Sequence, residues 1–312
     1  MKKHLFQSKT AYKANLHCHT TISDGMYTPE EIKKLYAAKG YSIVAFTDHR
    51  NLVAHQHLND ENFLAINGCE MDINQTGKDW QATSTYHINL LATRSDMVTT
   101  PPLPAMDYND TDAINQYIAA RTAQGFLVSY NHPLWSLQTY EEYSKLKGLF
   151  AVEIYNHGCQ VSTWDGYNPH VYDEMLRQGH NQKANFYCIS TDDNHNRGSS
   201  QKGPEIDSFG GFIYVNSSSL RYEDVMDALK KGDFYSSQGP KIHEISLDGN
   251  TLTVKCSPAQ SIVVYTSGRR CYHKTDDNLE EASFELAELT GFIRVMCRDK
   301  NHKDANSNAY WL

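Results

Sequence analysis

The sequence predicts an α/β domain followed by a small all-β domain, and two observations support this division. From residue 14 to about residue 236, short apolar runs alternate with amphipathic stretches, a pattern typical of βα units. After Pro240 the apolar residues recur at every second position, and no stretch of useful length has helical periodicity. We therefore expect residues 1–240 to form the larger domain and residues 241–312 to form a small all-β sandwich that packs on it.

The elements of the larger domain can be placed in chain order. Leu16 lies in the first predicted strand. A helix follows Thr28, because Pro29 suits the first helical position and Glu31 completes a Thr-x-x-Glu capping box, and it ends at Gly40. Further strands are predicted at about 42–47, 64–70, 86–91, 126–130, 150–154, 185–190 and 211–215, with helices near 111–123, 138–146, 169–178 and 220–231. Glycines stand where these helices should end, at Gly125, Gly148, Gly179 and Gly232.

A hairpin signal marks the start of the second domain. Two alternating runs flank Asp248-Gly249-Asn250, a sequence typical of a tight turn between strands. The histidines of this domain, His243, His273 and His302, are scattered, and we interpret them as ordinary packing or surface residues. We expect the domain either to shield one end of the larger domain or to mediate dimerisation, which would make the protein a homo-oligomer.

Composition narrows the class of protein. With 312 residues, 40% hydrophobic and 21% charged, the chain is typical of a globular protein, and its net charge of −8 argues against nonspecific nucleic-acid binding. The seven cysteines show no pairing framework, which favours a reducing compartment. Neither an apolar signal segment nor a run of about 20 apolar residues is present, so we expect a cytoplasmic protein without a membrane partner.

Histidines and carboxylates follow the apolar runs at the points where predicted strands end. The segments read ANLHCHTTISDG, VAFTDHR, INGCEMD, TYHINLL, VSYNHP and CISTDDNH. Imidazole and carboxylate groups are ligands of zinc, manganese and iron, and strand carboxyl ends are where barrel enzymes place their chemistry. Each segment alone could be a packing or turn feature, but six such features are improbable by chance. The pattern predicts a metal-dependent hydrolase.

The first two segments supply four candidate metal ligands and one residue that could orient a ligand. His17 and His19 are two residues apart, so they face the same side of an extended strand and can reach one metal. Asp24 follows in a Ser-Asp-Gly turn that can bring its carboxylate back to the same place, although such a residue can also serve the turn alone. His49 is a predicted ligand, and Asp48 before it is predicted to orient a ligand.

The middle segments differ in how clearly they indicate ligands. Glu70 ends an apolar run, where an unpaired carboxylate is costly and bridging two cations would explain it; Asp72 is interpreted as a solvated loop residue. His87 begins its predicted strand and would lie at the opposite end from the others. His132 stands before a proline that keeps the backbone extended. Glu153 could be either a ligand or a buried partner of one.

The last segment and two arginines complete the candidate site. Asp193 and His195 are predicted ligands with catalytic roles, and Asp192 competes with Asp193 for the same place. Arg50 and Arg197 stand beside these ligands, and their guanidinium groups match phosphate oxygens, unless both serve only as surface ion-pair partners.

The ordered motifs HCHTTISDG, FTDH, GCE, NHP and DDNH resemble those of the polymerase-and-histidinol-phosphatase (PHP) family. The resemblance runs from about residue 13 to residue 240 and implies a distorted (β/α)7, TIM-like barrel with two or three divalent metal ions, manganese, zinc or iron. The positions that match the family's ligands are His17, His19, Asp24, His49, Glu70, His87, His132, Asp193 and His195.

One departure affects the expected substrate. Many family members have another histidine near the end of the first motif, where this chain has Asp24. The aspartate form resembles smaller phosphoesterase-like members, including nucleotide phosphatases, whereas the β domain after residue 240 resembles members related to a carbaryl hydrolase. Both ester and carbamate substrates therefore stay open beside phosphoesters.

The hypothesis from sequence is hydrolysis of a small phosphorylated metabolite or nucleotide by a metal-bound hydroxide. Asp193 would steer the hydroxide or take its proton, His195 would protonate the leaving group if it is not a ligand, and the two arginines would add positive charge. The alternatives are a carboxylic ester or carbamate hydrolase, a non-catalytic metal-containing binding module, and, disfavoured by the net charge, a nuclease-like domain.

Overall fold

A computed structural model of the chain describes residues 2–178, 186–198, 203, 206–287 and 290–312. The described residues form sixteen strands: β1 (Lys3–Gln7), β2 (Ala11–Asn15), β3 (Ile43–Phe46), β4 (Leu64–Asn74), β5 (Thr85–Ala92), β6 (Phe126–Tyr130), β7 (Ala151–Asn156), β8 (Tyr187–Thr191), β9 (Phe212–Asn216), β10 (Phe234–Ser237), β11 (Ile242–Asp248), β12 (Thr251–Thr266), β13 (Cys271–Glu285), β14 (Phe292–Arg298), β15 (Asp304–Ser307) and β16 (Tyr310–Trp311). They also form six α-helices: α1 (Pro29–Ala38), α2 (Thr111–Ala123), α3 (Tyr140–Tyr143), α4 (His157–Ser162), α5 (Pro169–Arg177) and α6 (Tyr222–Lys231).

The first helix has the predicted capping box. The amide of Glu31 donates to Thr28 Oγ1 at 3.3 Å, and the amide of Thr28 donates to Glu31 Oε2 at 2.8 Å. Other boundaries differ from the sequence prediction: α3 is one turn rather than the whole of 138–146, and α4 was not predicted. Gly179, predicted as a helix end, lies outside the described residues.

The molecule is a mixed α/β protein, as its sequence predicts, and its described strands form one large sheet rather than a closed barrel and a separate sandwich. The strand order is β1-β11-β12-β14-β15-β10-β9-β2-β3-β4-β5-β6-β7-β8, with β13 paired to β12 and β16 paired to β14. Strands β2, β3 and β4 are parallel, β5 is antiparallel to both β4 and β6, and β6, β7 and β8 are parallel again. The amino-terminal end of β5 therefore meets the carboxyl ends of its neighbours at one edge of the sheet.

Apolar side chains fill both faces of this sheet. One cluster joins the strand faces to α2 and α5 and contains Ile88, Ile114 and Val171, all fully buried. Another lies between the sheet and α6 and contains Leu16, Val225 and Leu229. Strands buried on both faces are expected in a helix-covered sheet, and this packing holds the loops after the strands in fixed positions.

Side chains, rather than a backbone ladder, cover the β8 edge. Among the described residues no ladder joins β8 to β9, so the sheet is not closed by hydrogen bonds between these strands. The hydroxyl of Ser236 donates to the carbonyl of Cys188 at 2.8 Å, and the amide of Cys188 donates to Asn308 Oδ1 at 3.1 Å. The edge of β8 is thus satisfied by residues from β10 and from the segment after β15.

The described residues after Pro240 contain strands, joined by turns, and no helix. The predicted hairpin joins β11 and β12, with Gly249 in the left-handed region at φ 57°. Strand β1, at the other end of the chain, pairs antiparallel with β11, and β15 pairs with β10. The division at residues 240 and 241 stays a prediction.

A buried ion pair ties this β region to the rest. Arg294 in β14 donates to both carboxylate oxygens of Asp173 in α5, at 2.6 and 2.7 Å, and to Asn306 Oδ1 at 3.2 Å. Its guanidinium carbon also lies 4.1 Å from the ring centroid of Tyr265.

Within the described residues, no helix is both long and apolar enough to cross a bilayer.

Candidate metal centre

The strand ends bring all nine predicted ligands to one place. His17 and His19 follow β2, His49 follows β3, Glu70 lies in β4, and His87 lies near the start of β5. His132 follows β6, while Asp193 and His195 follow β8. Asp24 returns to His19 through the turn after it. That turn needs a glycine, because a Cβ on Gly25 would lie 2.5 Å from the carbonyl oxygen of His19.

Apart from a group that contains Glu153 and is described below, three groups of ligand atoms form at this edge, and two residues are shared between these three. In each group the atoms lie within 4.8 Å of one another. The groups are His19, Asp24, His49 and His195; His17, His19 and Glu70; and Glu70, His87 and His132. Glu70 and His19 each belong to two groups, so their side chains lie between neighbouring candidate cation positions.

Distances inside the cluster fit ligands that converge on cations. His17 Nε2 lies 3.1 Å from His19 Nε2, and Asp193 Oδ1 lies 3.1 and 3.0 Å from the same two nitrogens. Two ligand atoms bound to one cation at about 2.1 Å, at angles between octahedral and tetrahedral, are separated by about 3.0–3.4 Å. Glu70 is also within this range, with Oε1 3.4 Å from His17 Nε2 and Oε2 3.4 Å from His19 Nε2.

Two buried ligand atoms of the cluster have no hydrogen-bond partner among the described residues. They are Asp193 Oδ1 and His19 Nδ1. The short contacts of Asp193 Oδ1 lack hydrogen-bond geometry, although a buried carboxylate oxygen is costly to leave unsatisfied. The Asp193 oxygen faces Nε2 of His17 and of His19, whereas His19 Nδ1 lies 3.7 Å from Asp24 Oδ1, and imidazole and carboxylate donors of this kind fit divalent cations.

The electrostatics of the cluster follow from the crowding of these groups. Burial alone would raise the pKa of Glu70, but the neighbouring imidazoles of His87, His17 and His49 hold it well below its ordinary value. Burial also opposes the charged form of Asp193, yet His17, His19 and further imidazoles keep the pKa of this carboxyl low. Both carboxylates are therefore ionised at neutral pH, the state in which they bind metal.

Glu153 lies behind the cluster rather than facing its centre. Its Oε1 lies 2.7 Å from His17 Nδ1 and accepts from the Thr191 hydroxyl, while Oε2 accepts from the backbone amide of His132 and from Asn156 Nδ2. Although Glu153, His17 and His132 are close enough to form a group of their own, four donors already occupy its two oxygens. The ring of His17 is thus fixed with Nε2 toward the cluster.

Asp48 and Asp192 are also occupied by structural hydrogen bonds. Asp48 accepts from the amides and hydroxyls of Thr20 and Ser23, so it holds the turn that carries Asp24. Asp192 accepts from the Tyr36 hydroxyl and from the backbone amides of residues 209–211, while burial raises the pKa of its carboxyl to about 7. Of the two competing aspartates, the structure places Asp193 in the cluster and Asp192 outside it.

The two predicted arginines have different environments. Arg197 lines the cavity, and its guanidinium lies 2.9 Å from Asp24 Oδ2. Arg50 is 55% exposed and makes a two-pronged ion pair with Asp72 at 2.6 and 2.7 Å. The expectation that Asp72 is a solvated loop residue is therefore wrong, because β4 continues to Asn74. Burial would raise the pKa of the Asp72 carboxyl, but the nearby guanidinium of Arg50 lowers it below its ordinary value.

The backbone is strained at the ligand loops. His132 and Asp193 have φ values of 27° and 51°, and Arg50, next to His49, has a φ of 50°. Residues other than glycine seldom adopt this region, and such strain concentrates at functional sites. Backbone hydrogen bonds compensate for this strain. The amide of Arg50 donates to the carbonyl oxygen of Glu70 at 2.7 Å, and the amide of Asp193 donates to the carbonyl oxygen of His17 at 3.0 Å.

Sequence reasoning missed the neutral residues that position the ligands. Asn131 Nδ2 donates to Glu70 Oε1 at 2.9 Å, and Asn156 Nδ2 donates to Asp193 Oδ2 at 3.1 Å. Asn15 accepts from the amides of His17 and Asp192 and so joins β2 to β8. Their position directly before or within the ligand segments was the only available signal. Asp207 accepts from the amides of residues 195 and 196, and no feature of the sequence indicates this role.

A cavity of about 1320 Å³ opens on the cluster. Its floor is formed by the side chains of the predicted ligands Asp24, His49, Glu70, His87, His132, Asp193 and His195. Its walls come from the loop between β4 and β5, from the segment after His132, from α4 and the residues that follow it, and from Arg197, Gly198, Ile206 and Asp207. The cavity is larger than a phosphate group needs, so a substrate with a sizeable organic part can reach the floor.

Residues 15–194 match the sequence model of the PHP domain. Since this match covers more than half of the chain, the protein belongs to the PHP domain family. None of the curated proteins matches its sequence.

Similar solved structures come from three bacteria. The first is a two-domain protein from Bacteroides vulgatus that contains a predicted PHP-like metal-dependent phosphoesterase; the identity is 15%, the TM-score is 0.48, and coverage is 99% of this chain and 98% of that chain. A candidate metal-dependent phosphoesterase from Bifidobacterium adolescentis is 14% identical, with a TM-score of 0.38 and coverage of 64% and 91%. An amidohydrolase from Chromobacterium violaceum with bound sulfate is 15% identical, with a TM-score of 0.35 and coverage of 58% and 87%.

Proposed function

We propose that this protein is a metal-dependent hydrolase that cleaves phosphoesters of small molecules. One observation carries the proposal: three groups of imidazole and carboxylate atoms, linked in series through His19 and Glu70, lie at and beneath the floor of one open cavity. That arrangement suits two or three neighbouring divalent cations, manganese, zinc or iron, with Glu70 between them. The family membership and the similar phosphoesterases agree with it.

Divalent cations bound here would activate a water molecule and offset charge on the phosphoryl oxygens. The chain's own residues do the rest. Glu153 and Asn131 fix the orientation of His17 and Glu70 through the hydrogen bonds described above. Asp193 has one oxygen without a partner beside the cavity, where it can hold or accept the proton of the attacking water.

Arg197 and His195 are proposed to complete the site from the cavity wall. Arg197 lines the cavity and is 56% exposed, and on binding a phosphoryl oxygen it would exchange its bonds to the carbonyl and carboxylate of Asp24; Arg50 does not line the cavity and is the weaker candidate. His195 Nε2 lies 3.4 Å from Asp24 Oδ2 in the first group of ligand atoms. We therefore place His195 among the ligands rather than as the leaving-group acid.

The remaining parts of the sequence hypothesis belong to this proposal. The strand order from β9 through β2 to β8 is proposed to form a distorted (β/α)7 barrel, with residues 241–312 as a small β-sandwich. All seven cysteines are free and six are buried, which supports a cytoplasmic location. A homo-oligomer is retained as a proposal, with a small phosphorylated substrate as the partner.

Turnover of two nitrophenyl esters tests the reaction class. The metal-loaded full chain is expected to release nitrophenol from nitrophenyl phosphate and to be much slower on nitrophenyl acetate. Addition of a chelator should stop the reaction, and returning manganese or zinc should restore it. Faster cleavage of the acetate would favour the ester and carbamate alternative. Metal binding without turnover of either ester would favour the non-catalytic module.

Metal affinity should rise between about pH 7 and about pH 9. Burial alone lowers the pKa of His19, but Asp193 and Glu70 raise it from 6.5 to about 9. The metal-free protein therefore holds this proton more tightly than the unfolded chain does. The resulting stabilisation is complete below pH 6.5 and is lost as the pH rises through about 9.

A cation must displace this proton, so its binding is weakest where the ring is protonated. Calorimetric titration with zinc in buffers of different ionisation heat measures both the affinity and the protons released. An affinity independent of pH across this window, with no proton release, would contradict the assignment of His19 as a ligand.

A further inference from the structure

Among the apolar side chains that line the cavity, two indoles and a leucine supply no ligand atom to the cluster. Trp80, Trp135 and Leu137 all line it. Trp80 is 77% exposed and Leu137 is 48% exposed. Large apolar side chains that gather at one opening are typical of a ligand-binding surface.

Trp80 is presented by an ordered turn. The turn Trp80–Ala82 is capped by Asp79, whose Oδ1 accepts from the amide of Gln81 at 3.0 Å, and the hydroxyl of Thr83 donates to the carbonyl of Asp79 at 2.7 Å. These bonds hold the backbone under the indole in place while its ring stays open to the cavity. When a ligand buries an exposed apolar side chain, the removal of that apolar surface from water contributes favourable binding free energy.

Trp135 connects this surface to the cluster. Its ring centroid lies 5.1 Å from that of His132 and 5.8 Å from that of His87, both edge to face. A molecule whose phosphate reaches the floor therefore places its next atoms beside the indole of Trp135.

The charges of the walls indicate what kind of organic group fits. Among the described residues of the loop between β4 and β5 and of the segment from α4 to Asp165, the charged side chains that line the cavity are Lys78 and Asp165, which balance. Asp72 also lines it, but Arg50 neutralises its carboxylate. Arg197, which is paired with Asp24, and Asp207 also line the cavity, so the described walls carry no excess of positive charge for a second anionic group.

We propose that Trp80 and Trp135 form a specificity wall that selects phosphoesters whose leaving group is an uncharged aromatic or similarly apolar body. This inference rests on the proposed phosphoesterase function. It disfavours substrates with a second phosphate or carboxylate, because the described walls carry no excess of positive charge, and small, fully polar alcohols, because these do not cover the two indoles.

Binding of two phosphonates to the metal-loaded full chain tests the inference. By calorimetry, phenylphosphonate should bind about tenfold more tightly than methylphosphonate, as expected for stacking on an indole. Trp80→Ala and Trp135→Leu should each reduce this ratio to about threefold or less, with Trp80→Phe restoring most of it. Trp80→Ala should leave the affinity for methylphosphonate unchanged, because Trp80 is exposed and does not support the cluster.

Trp164→Ala is the matched control. Trp164 is 82% exposed but does not line the cavity, so its removal should leave the ratio unchanged. Equal affinities for the two phosphonates in the unaltered protein, or a ratio that survives both cavity variants, would overturn the specificity wall and leave the phosphoesterase proposal standing. Failure of both phosphonates to bind, together with no release of nitrophenol from nitrophenyl phosphate, would overturn both.

Discussion

His17→Ala is expected to lower the rate of phosphoester hydrolysis by about 1,000-fold or more, because a bound cation contributes several kcal/mol of charge stabilisation. The same substitution should reduce the amount of metal bound to the purified protein. His17 Nε2 lies within 3.4 Å of His19, Glu70 and Asp193, so its loss removes one ligand and leaves two buried carboxylates with less compensation. His49→Ala should act in the same direction, since its Nδ1 lies 3.2 Å from Glu70 Oε2.

The measurements are initial rates with nitrophenyl phosphate and elemental analysis of each variant. His57→Ala is the matched control. His57 is exposed, its one ion-pair contact among the described residues is with Glu30, and it lies outside the cluster. It should keep both metal and activity. Normal turnover in His17→Ala and His49→Ala would rule out the metal centre as the source of activity.

Asp173→Ala is expected to destabilise the protein by about 3–5 kcal/mol, since it leaves a buried guanidinium without its carboxylate. Arg294 is 2% exposed, and both prongs of its pair with Asp173 are shorter than 2.8 Å. Asn306 can satisfy one donor of the guanidinium but cannot offset its charge. Because the pair joins α5 to β14, the loss should lower the stability of the chain as a whole.

Denaturant unfolding followed by circular dichroism measures this loss. Glu281→Ala is the control, because its pair with Lys255 is exposed at both ends and such pairs contribute about 0–1 kcal/mol. Similar midpoints for the Asp173 and Glu281 variants would mean that water or other groups compensate for the buried guanidinium.

The ligand segments were predictable because each carries a local signal: an apolar run followed by imidazole or carboxylate. Their relative placement was not, and His87 shows why. It was expected at the opposite end of its strand from the other ligands. Strand β5 runs antiparallel to β4, with His87 opposite Asp72, so its starting end lies at the shared edge. Strand direction depends on the whole sheet and leaves no mark on the few residues around His87.

The choice between Asp192 and Asp193 also depended on three-dimensional structure. Two adjacent acids look equivalent in sequence, but the left-handed backbone at Asp193 turns its side chain into the cavity, whereas Asp192 meets the amides of residues 209–211. Likewise, Arg50 was selected for its guanidinium, and only the extension of β4 brings Asp72 within its reach. The positioning asparagines were not predictable, because an amide has no preference for metal sites that a single sequence displays.

The way in which β8 is covered has a practical consequence for anyone who shortens this chain. Asn308 accepts from the amide of Cys188 and donates to the carbonyl of Phe234, so it bridges the strand that leads to Asp193 and its neighbour β10. A version that stops near residue 240 retains every candidate ligand, yet it strips a buried amide of its acceptor at a cost of about 1–3 kcal/mol. Loss of activity in such a fragment would then report a loosened scaffold rather than missing chemistry, and Asn308 is best regarded as part of the framework that supports the candidate metal centre.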